Sequence, residues 1–149
     1  MGSPFGVFRD WYGLDLAGAA LALHHLNAKC DMSDKSPILL WYRRDLRLSD
    51  HPALSAAANA GRPVIPVFIK DKSVNALGAA PKWRLGLGIG ALADSLEGVS
   101  SRLLLREGDA LEVLQALIKE TGAGAVYWSR LYDPDSVQRD SKIKEILCS

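Results

Sequence analysis

The chain has 149 residues, a formal net charge of +1 at pH 7, 48% hydrophobic residues and 23% charged residues. These values are typical of one folded domain, and they exclude a disordered, fibrous or polybasic protein. The two cysteines lie outside any zinc-binding spacing, and no apolar run reaches the roughly 20 residues of a membrane span. We therefore expect a reduced, cytoplasmic protein with no membrane partner.

The first 35 residues differ in character from the rest of the chain. They contain an Ala/Leu-rich stretch from Leu14 to Leu26 with glycine-rich ends, which predicts a short helix. Met32 precedes the first strong strand pattern and resembles a natural start. We interpret residues 1–35 as an extension, either genuine or the product of an over-long reading frame, and residues 36–149 as the domain proper.

Strand and helix patterns alternate from Ser36 onward. Mainly apolar runs predict strands over 38–42, 64–69, 102–106 and 125–128. Helices are predicted over 53–60, from 81 to 96, after Asp109, and from Pro134 to Leu147. This alternation favours parallel pairing with right-handed crossovers. We predict an α/β fold: an open, doubly wound, mostly parallel Rossmann-like sheet in three αβα layers, truncated before a fifth strand.

Local signals place the ends of these elements. Asp50 is predicted to cap the first helix, Asp109 the third and Asp133 the last. Pro66 lacks an N–H and predicts an edge position or a local irregularity. The segment 70–80 is predicted to be a loop. Apolar faces are predicted for two helices. In the helix from 81 to 96 the face consists of Trp83, Leu85, Leu87, Ile89, Leu92 and Leu96. In the helix from Pro134 to Leu147 it consists of Val137, Ile143, Ile146 and Leu147.

Several motifs that could indicate catalysis do not fit their structural context. Gly86, Gly88 and Gly90 imitate a dinucleotide fingerprint, but they fall inside a predicted helix and more simply allow close helix packing. His24 and His25 are adjacent and diverge on a helix, and His51 lies beside a helix cap. The sequence contains no P-loop and no nucleophile elbow. It therefore presents no candidate for nucleophilic or metal-assisted catalysis.

The segment 41–50 reads Trp-Tyr-Arg-Arg-Asp-Leu-Arg-Leu-Ser-Asp and directly follows the first strand. Ligands of open parallel sheets bind beyond the carboxyl ends of the strands, where this segment is expected to lie. Its composition alone also fits a structural ion-pair network in which Asp45 bridges Arg44 or Arg47.

The order of these residues, continued as His-Pro-Ala-Leu over 51–54, resembles the N-terminal signature of the DNA photolyase/cryptochrome family. The resemblance continues in register through 62–69 (Arg-Pro-Val-Ile-Pro-Val-Phe-Ile), 80–85, 101–109 and 125–130, and reaches Asp133-Pro134. It covers residues 36–148 and is closest in character to a bacterial deoxyribodipyrimidine photolyase.

The resemblance implies an N-terminal α/β domain that binds a light-harvesting antenna chromophore: methenyltetrahydrofolate, a deazaflavin or another flavin. In the family, a larger helical domain holds FAD and the damaged DNA. Reduced FAD there splits cyclobutane pyrimidine dimers under blue or near-UV light. This chain matches the α/β domain alone, so FAD and damaged DNA are expected to bind only through the missing domain. The fragment by itself is expected to be inactive.

A chromophore pocket needs planar apolar walls and a few orienting polar groups. The candidate cofactor-binding residues are Tyr42, Arg43, Arg44, Ile69, Tyr132 and Asp133. Asp45 and Arg47 are expected to be structural, whereas Trp41, Tyr127 and Trp128 are predicted core residues. Asp133 matches an acid of deazaflavin-binding members, but Leu131 replaces a polar group. Ser136 stands where folate-binding members carry an acid, so the chromophore stays undecided.

Two alternatives from other functional classes remain. One is a cryptochrome-type blue-light photoreceptor, since the residues that separate repair from signalling surround FAD. The other is a free-standing nucleotide- or flavin-binding module of the same architecture. In each case we expect a monomer.

Overall fold

The computed structural model describes residues 26–27 and 36–147. Five strands and five helices make up this part of the chain. The strands are β1 (Leu26–Asn27), β2 (Ile38–Tyr42), β3 (Val64–Lys70), β4 (Leu104–Glu107) and β5 (Ala125–Ser129). The helices are α1 (Pro52–Asn59), α2 (Lys72–Asn75), α3 (Ala79–Gly98), α4 (Ala110–Thr121) and α5 (Pro134–Leu147). The predicted alternation is confirmed, except that α2 occupies part of the segment expected to be a loop.

The sheet has the strand order β1-β5-β2-β3-β4. The four longer strands are mutually parallel, with Ile38 opposite both Val64 and Ala125. β2 therefore lies at the centre, where its five residues are all buried. Pro66 precedes the β3–β4 pairing, which begins at Val67, so its missing N–H falls where β4 has not started.

Two hydrophobic cores cover the two faces of the sheet, because successive strand residues point to opposite sides. Ile38 and Leu40 face one core, which also contains Leu54 of α1 and Leu92 and Leu96 of α3. The opposite core contains the alternate strand residues together with side chains of α4 and α5: Leu39, Trp41, Leu114, Leu117 and Ile143. The predicted three-layer αβα architecture is confirmed.

The cap of α1 differs from the prediction. His51, not Asp50, is the N-cap, and its Nδ1 accepts a hydrogen bond of 3.1 Å from the Leu54 amide. Asp50 instead takes a left-handed backbone conformation, with φ of +50°, in the preceding turn. The other expected caps are confirmed: Asp109 accepts from the amides of α4, and Asp133 accepts from Ser136 at the start of α5.

The two predicted apolar helix faces are only partly correct. In α3, Leu92 and Leu96 are buried, but Trp83 and Leu87 are exposed. In α5, the buried positions are Ser136, Asp140 and Ile143. Val137 and Ile146 point to solvent instead. A polar residue inside the buried stripe of α5 shifts that stripe away from the purely apolar pattern.

Close packing explains only one of the three glycines in α3. A Cβ on Gly88 would lie 3.0 Å from Leu46 Cδ1, so this glycine lets the loop after β2 approach the helix. Gly86 and Gly90 have open space where a Cβ would stand. The packing interpretation is therefore wrong for those two positions.

The strand β1 falls within the segment interpreted as an extension. It pairs antiparallel with β5, Leu26 opposite Ser129 and Asn27 opposite Trp128, at one edge of the sheet. The predicted helix over 14–26, apart from Leu26, lies outside the described residues, as do His24, His25 and both cysteines. None of the helices in the described part of the chain has the length and apolar character that crossing a bilayer requires.

Candidate functional site

A cavity of about 530 Å³ lies at the carboxyl edge of the sheet. This volume is within the range of small-molecule sites, roughly 300–1,000 Å³. Segments after β2 and β3 form much of its wall, and α2, α3, α5 and Leu131 complete it. Apolar side chains in the wall are Trp41, Leu46, Phe68, Ile69, Val74, Leu77, Pro81, Leu85 and Leu131. The topology thus places a cavity where ligands of parallel sheets bind.

Trp41 forms part of the wall between two arginines. The guanidinium carbon of Arg43 lies 4.8 Å from the centre of its ring, and that of Arg139 lies 5.3 Å away. Trp128 packs edge-on behind Trp41, with ring centres 5.9 Å apart. These contacts bury the Trp41 ring, which is 1% exposed, so it stiffens the wall from within the core.

Both arginines are paired with buried carboxylates. Arg43 Nη1 lies 2.9 Å from each carboxylate oxygen of Asp140, and Arg43 Nη2 donates to the carbonyl of Ser129. Arg139 Nη1 lies 2.6 Å from Asp71 Oδ2, while Arg139 Nη2 lies 3.4 Å from Asp140. Burial lowers the pKa of Arg43 and its pairing with Asp140 opposes this, so the guanidinium stays charged. The chain of ion pairs ties β2, α5 and the start of α2 together.

Asp45 connects three elements beneath the arginine-rich loop. Its Oδ1 accepts a hydrogen bond of 3.1 Å from the Arg43 amide, and its Oδ2 lies 2.8 Å from His51 Nε2. Because His51 Nδ1 accepts from the Leu54 amide, the ring proton is on Nε2, the nitrogen that lies 2.8 Å from Asp45 Oδ2. Burial disfavours the carboxylate, but hydrogen bonds from His51, Ser129 and the Arg43 amide outweigh it and hold the pKa of Asp45 well below its usual range.

The ion pairs of the loop are not those expected from the sequence. Arg44 lies 3.5 Å from Asp133, and Arg47 lies 3.7 Å from Asp50, rather than either arginine bridging Asp45. Arg47 Nε also donates to the Asp50 carbonyl at 3.0 Å. The reason is geometric, because Asp45 turns inward to His51 while both guanidinium groups stay exposed. The hydrogen bond from the Ser136 side chain is the main cause that lowers the pKa of Asp133.

The structure brings only some of the predicted binding residues to the cavity. Arg43, Arg44 and Ile69 line it, as do Asp45 and Arg47. Tyr42 does not: its side chain is fully buried in the core that contains Ile38 and Leu40, with its ring edge-on to His51. Tyr132 is 71% exposed and lies outside the wall, although the adjacent Leu131 is part of it. Asp133 reaches the site through its contact with Arg44.

Sequence reasoning missed Asp71, Arg84, Arg139 and the buried Asp140. One signal could have found Asp140, since it lies three residues before Ile143, on the same face of α5. A carboxylate on a buried stripe requires a partner, and Arg43 is that partner. Trp41 was predicted as core, and it is both core and cavity wall.

The arrangement suits binding better than catalysis. The described residues contain no group of three or more His, Cys, Asp or Glu side chains placed to hold a metal ion. The carboxylates of the site are committed to arginine or histidine partners. What the wall offers a ligand is aliphatic side chains, backed by the buried indole of Trp41, and guanidinium donors. Such a surface fits a planar, conjugated molecule with polar substituents.

Comparisons with known proteins agree with this fold. The sequence family described as DNA photolyase matches residues 38–149. The deoxyribodipyrimidine photo-lyase of Agrobacterium fabrum is 48% identical over 112 residues, which cover 75% of this chain and 23% of that protein. Cryptochrome-1 of Sinapis alba is 37% identical over 120 residues, which cover 78% of this chain and 24% of that protein.

Solved structures give the same result. A class III photolyase from Agrobacterium tumefaciens superposes with a TM-score of 0.73 at 46% identity, over 78% of this chain and 24% of its own. An archaeal photolyase from Sulfolobus tokodaii, solved with two FAD molecules that imply a novel light-harvesting cofactor, has a TM-score of 0.63 at 29% identity. The superposition covers 75% of this chain and 26% of the archaeal protein. The chain thus spans about a quarter of the length of these relatives. With the family matching most of its length, the chain belongs to the DNA photolyase family and corresponds to the N-terminal α/β domain.

Proposed function

We propose that this chain is a light-harvesting domain whose cavity at the carboxyl edge of the sheet binds an antenna chromophore. The observation that carries the proposal is a cavity of about 530 Å³ at the carboxyl edge of the sheet, lined mainly by apolar side chains and arginines. When bound, a folate, deazaflavin or flavin chromophore would supply absorption of near-UV or blue light. The residues of this chain would bind it, orient it and exclude water.

Separate parts of the wall would do this work. Leu77 and Leu85, which are partly exposed in the wall, would contact the ring system, while Arg43 and Arg139 would hold the buried indole of Trp41 behind them. Because the arginines are held by Asp140 and Asp71, the wall is organised before a ligand arrives. Pre-organisation lowers the ordering cost of binding.

For the longer proteins of this kind, we propose light-driven repair of cyclobutane pyrimidine dimers, with FAD and damaged DNA bound by a helical domain. The 48% identity to a photolyase, against 37% to a cryptochrome, favours repair over light signalling. In such a protein the domain described here would pass excitation energy to FAD.

The binding step can be tested with the purified full chain. Calorimetric titration with FMN, riboflavin and folate should detect saturable binding of at least one of them, at one site per chain. Leu77→Trp places a large ring in the cavity wall and should weaken that binding at least about tenfold, because it fills space the ligand needs.

Val137→Trp provides the matched control. Val137 is 44% exposed on α5 and is not part of the wall, so the same ring there should leave binding unchanged. Equal binding by the wild-type chain and Leu77→Trp would contradict the assignment of the cavity. The absence of binding for all three compounds would contradict the proposed function.

A further inference from the structure

The charges in the cavity wall are strongly unequal. Five arginines line it, Arg43, Arg44, Arg47, Arg84 and Arg139, against two aspartates, Asp45 and Asp71. A cavity lined by one sign of charge concentrates ligands of the opposite sign. The excess of positive charge in the wall therefore favours a negatively charged ligand, in addition to the planar shape that the wall suits.

Two of the five arginines are already neutralised within the protein. Arg43 and Arg139 pair with Asp140 and Asp71, all at short distance and largely buried. These ion pairs hold the wall together, and they neutralise the charges of both guanidinium groups. Asp45 is likewise committed to His51 and to the Arg43 amide. The ligand-binding charge must come from the other three arginines.

Arg44 and Arg47 have only weak partners. Their carboxylates, on Asp133 and Asp50, lie at 3.5 and 3.7 Å and outside the wall, and the arginine side chains are 66% and 56% exposed. Exposed pairs of this kind contribute little and exchange readily. An anion in the cavity can therefore replace these carboxylates at small cost.

Arg84 has no carboxylate partner in the part of the chain that the structure describes. It lies on the second turn of α3, is exposed, and lines the cavity together with Pro81 and Leu85 of the same helix. Its guanidinium can form two parallel hydrogen bonds to a phosphate or a carboxylate.

We infer that the cavity selects a chromophore that carries an anionic group, a phosphate or a carboxylate, which Arg84 binds with help from Arg44 and Arg47. This inference rests on the proposed function and adds the charge class of the ligand. A phosphate would be that of a flavin nucleotide, and a carboxylate would be that of a folate glutamate. An uncharged flavin or deazaflavin would be the disfavoured class.

The test compares ligands that share a ring and differ in the anionic group. FMN and riboflavin differ by one phosphate, and folate and its glutamate diamide, in which both carboxylates are amidated, differ by those two charges. Calorimetric titration of the full chain should show that the more anionic member of at least one pair binds about tenfold more tightly, the effect expected of a charge-assisted contact. The pair that discriminates identifies phosphate or carboxylate as the group recognised.

Arg84→Gln should remove most of that preference and leave the affinity for riboflavin or the folate diamide unchanged. Arg102→Gln removes the same charge from an exposed position outside the cavity and should leave the preference intact. Both variants should keep the wild-type melting temperature, because neither side chain is buried.

Equal affinities within both ligand pairs would overturn the charge selection. If Leu77→Trp still abolished binding in that case, the proposed function would stand. Preference for the anion that persists in Arg84→Gln would overturn the role of Arg84. If no compound binds to the wild-type chain, the proposed function fails, and the inference fails with it.

Discussion

Asp45 illustrates how one side chain can organise the approach to a site without touching a ligand. It joins the end of β2, through the Arg43 amide, to the first turn of α1, through His51, and to Ser129 at the end of β5. Three segments that form the carboxyl edge of the sheet thus meet at one carboxylate. The positions of Arg44 and Arg47 depend on it, because both belong to the loop that it anchors.

Asp45→Asn should lower the free energy of unfolding by about 2 kcal/mol, within the range for hydrogen bonds to a charged group. The asparagine side chain keeps one oxygen acceptor but places an NH₂ group where Asp45 Oδ2 was. The Nε2–H of His51 would then face a donor instead of an acceptor. Urea unfolding monitored by circular dichroism measures the change. Asp94→Asn, on the exposed side of α3, should change stability by less than about 0.5 kcal/mol. Equal stability of wild type and Asp45→Asn would refute the anchoring role.

The same carboxylate predicts a pH dependence. The pKa of Asp45 is lower in the folded chain than the value of about 3.9 expected after unfolding. Its stabilising contribution is therefore complete above that unfolded value and is lost as the pH falls toward the folded value. The stability difference between wild type and Asp45→Asn should be constant from pH 7 to about 5 and shrink below about 4. A difference that stays constant down to about pH 2 would contradict this origin.

At the scale of helices and strands, local signals predict most of the fold. Asp109 and Gly122 mark the ends of α4, and both act as expected: the aspartate accepts from two amides, and the glycine takes φ of +67°. The pattern fails where a polar residue takes a core position. Asp140 replaces an apolar residue in the buried stripe of α5, so Val137 and Ile146 are mistaken for core.

The glycines of α3 give a prediction for one element. Gly90→Ala should raise the free energy of unfolding by about 0.5–1 kcal/mol, because alanine loses less conformational entropy in a helix and the space for its methyl group is open. Gly88→Ala should gain less or lose stability, since Leu46 Cδ1 lies 3.0 Å from the new carbon. Thermal unfolding of both variants gives the comparison. An equal gain at the two positions would mean that Leu46 does not constrain α3.

For the whole molecule, topology predicts where the cavity lies but not which side chains complete it. Parallel strands bring their carboxyl ends together, so Arg43, Arg44 and Ile69 could be assigned to one edge before the structure was known. Arg139 and Asp71 are 68 residues apart, and no local pattern predicts their pairing. Tyr42 lies outside the wall although its strand partner Phe68 is part of it, because the Tyr42 side chain is fully buried with its ring edge-on to His51.

We predict that residues 1–31 can be removed. The buried side chains of the two described cores lie between Ile38 and Ile143. A protein that starts at Met32 should therefore unfold in one cooperative transition, even though it loses the β1 pairing to β5. Differential scanning calorimetry of the shortened and full chains makes the comparison. Loss of the cooperative transition would place the first residues in the folding unit.

The position of Trp41 has an optical consequence. Its indole forms part of the cavity wall, is 1% exposed to solvent and packs edge-on against Trp128. A conjugated molecule that absorbs in the near-UV and enters the cavity would come within contact distance of this emitter and quench its fluorescence. The chain therefore contains its own label-free reporter of occupancy, and Trp41→Phe separates that signal from the emission of the other three tryptophans.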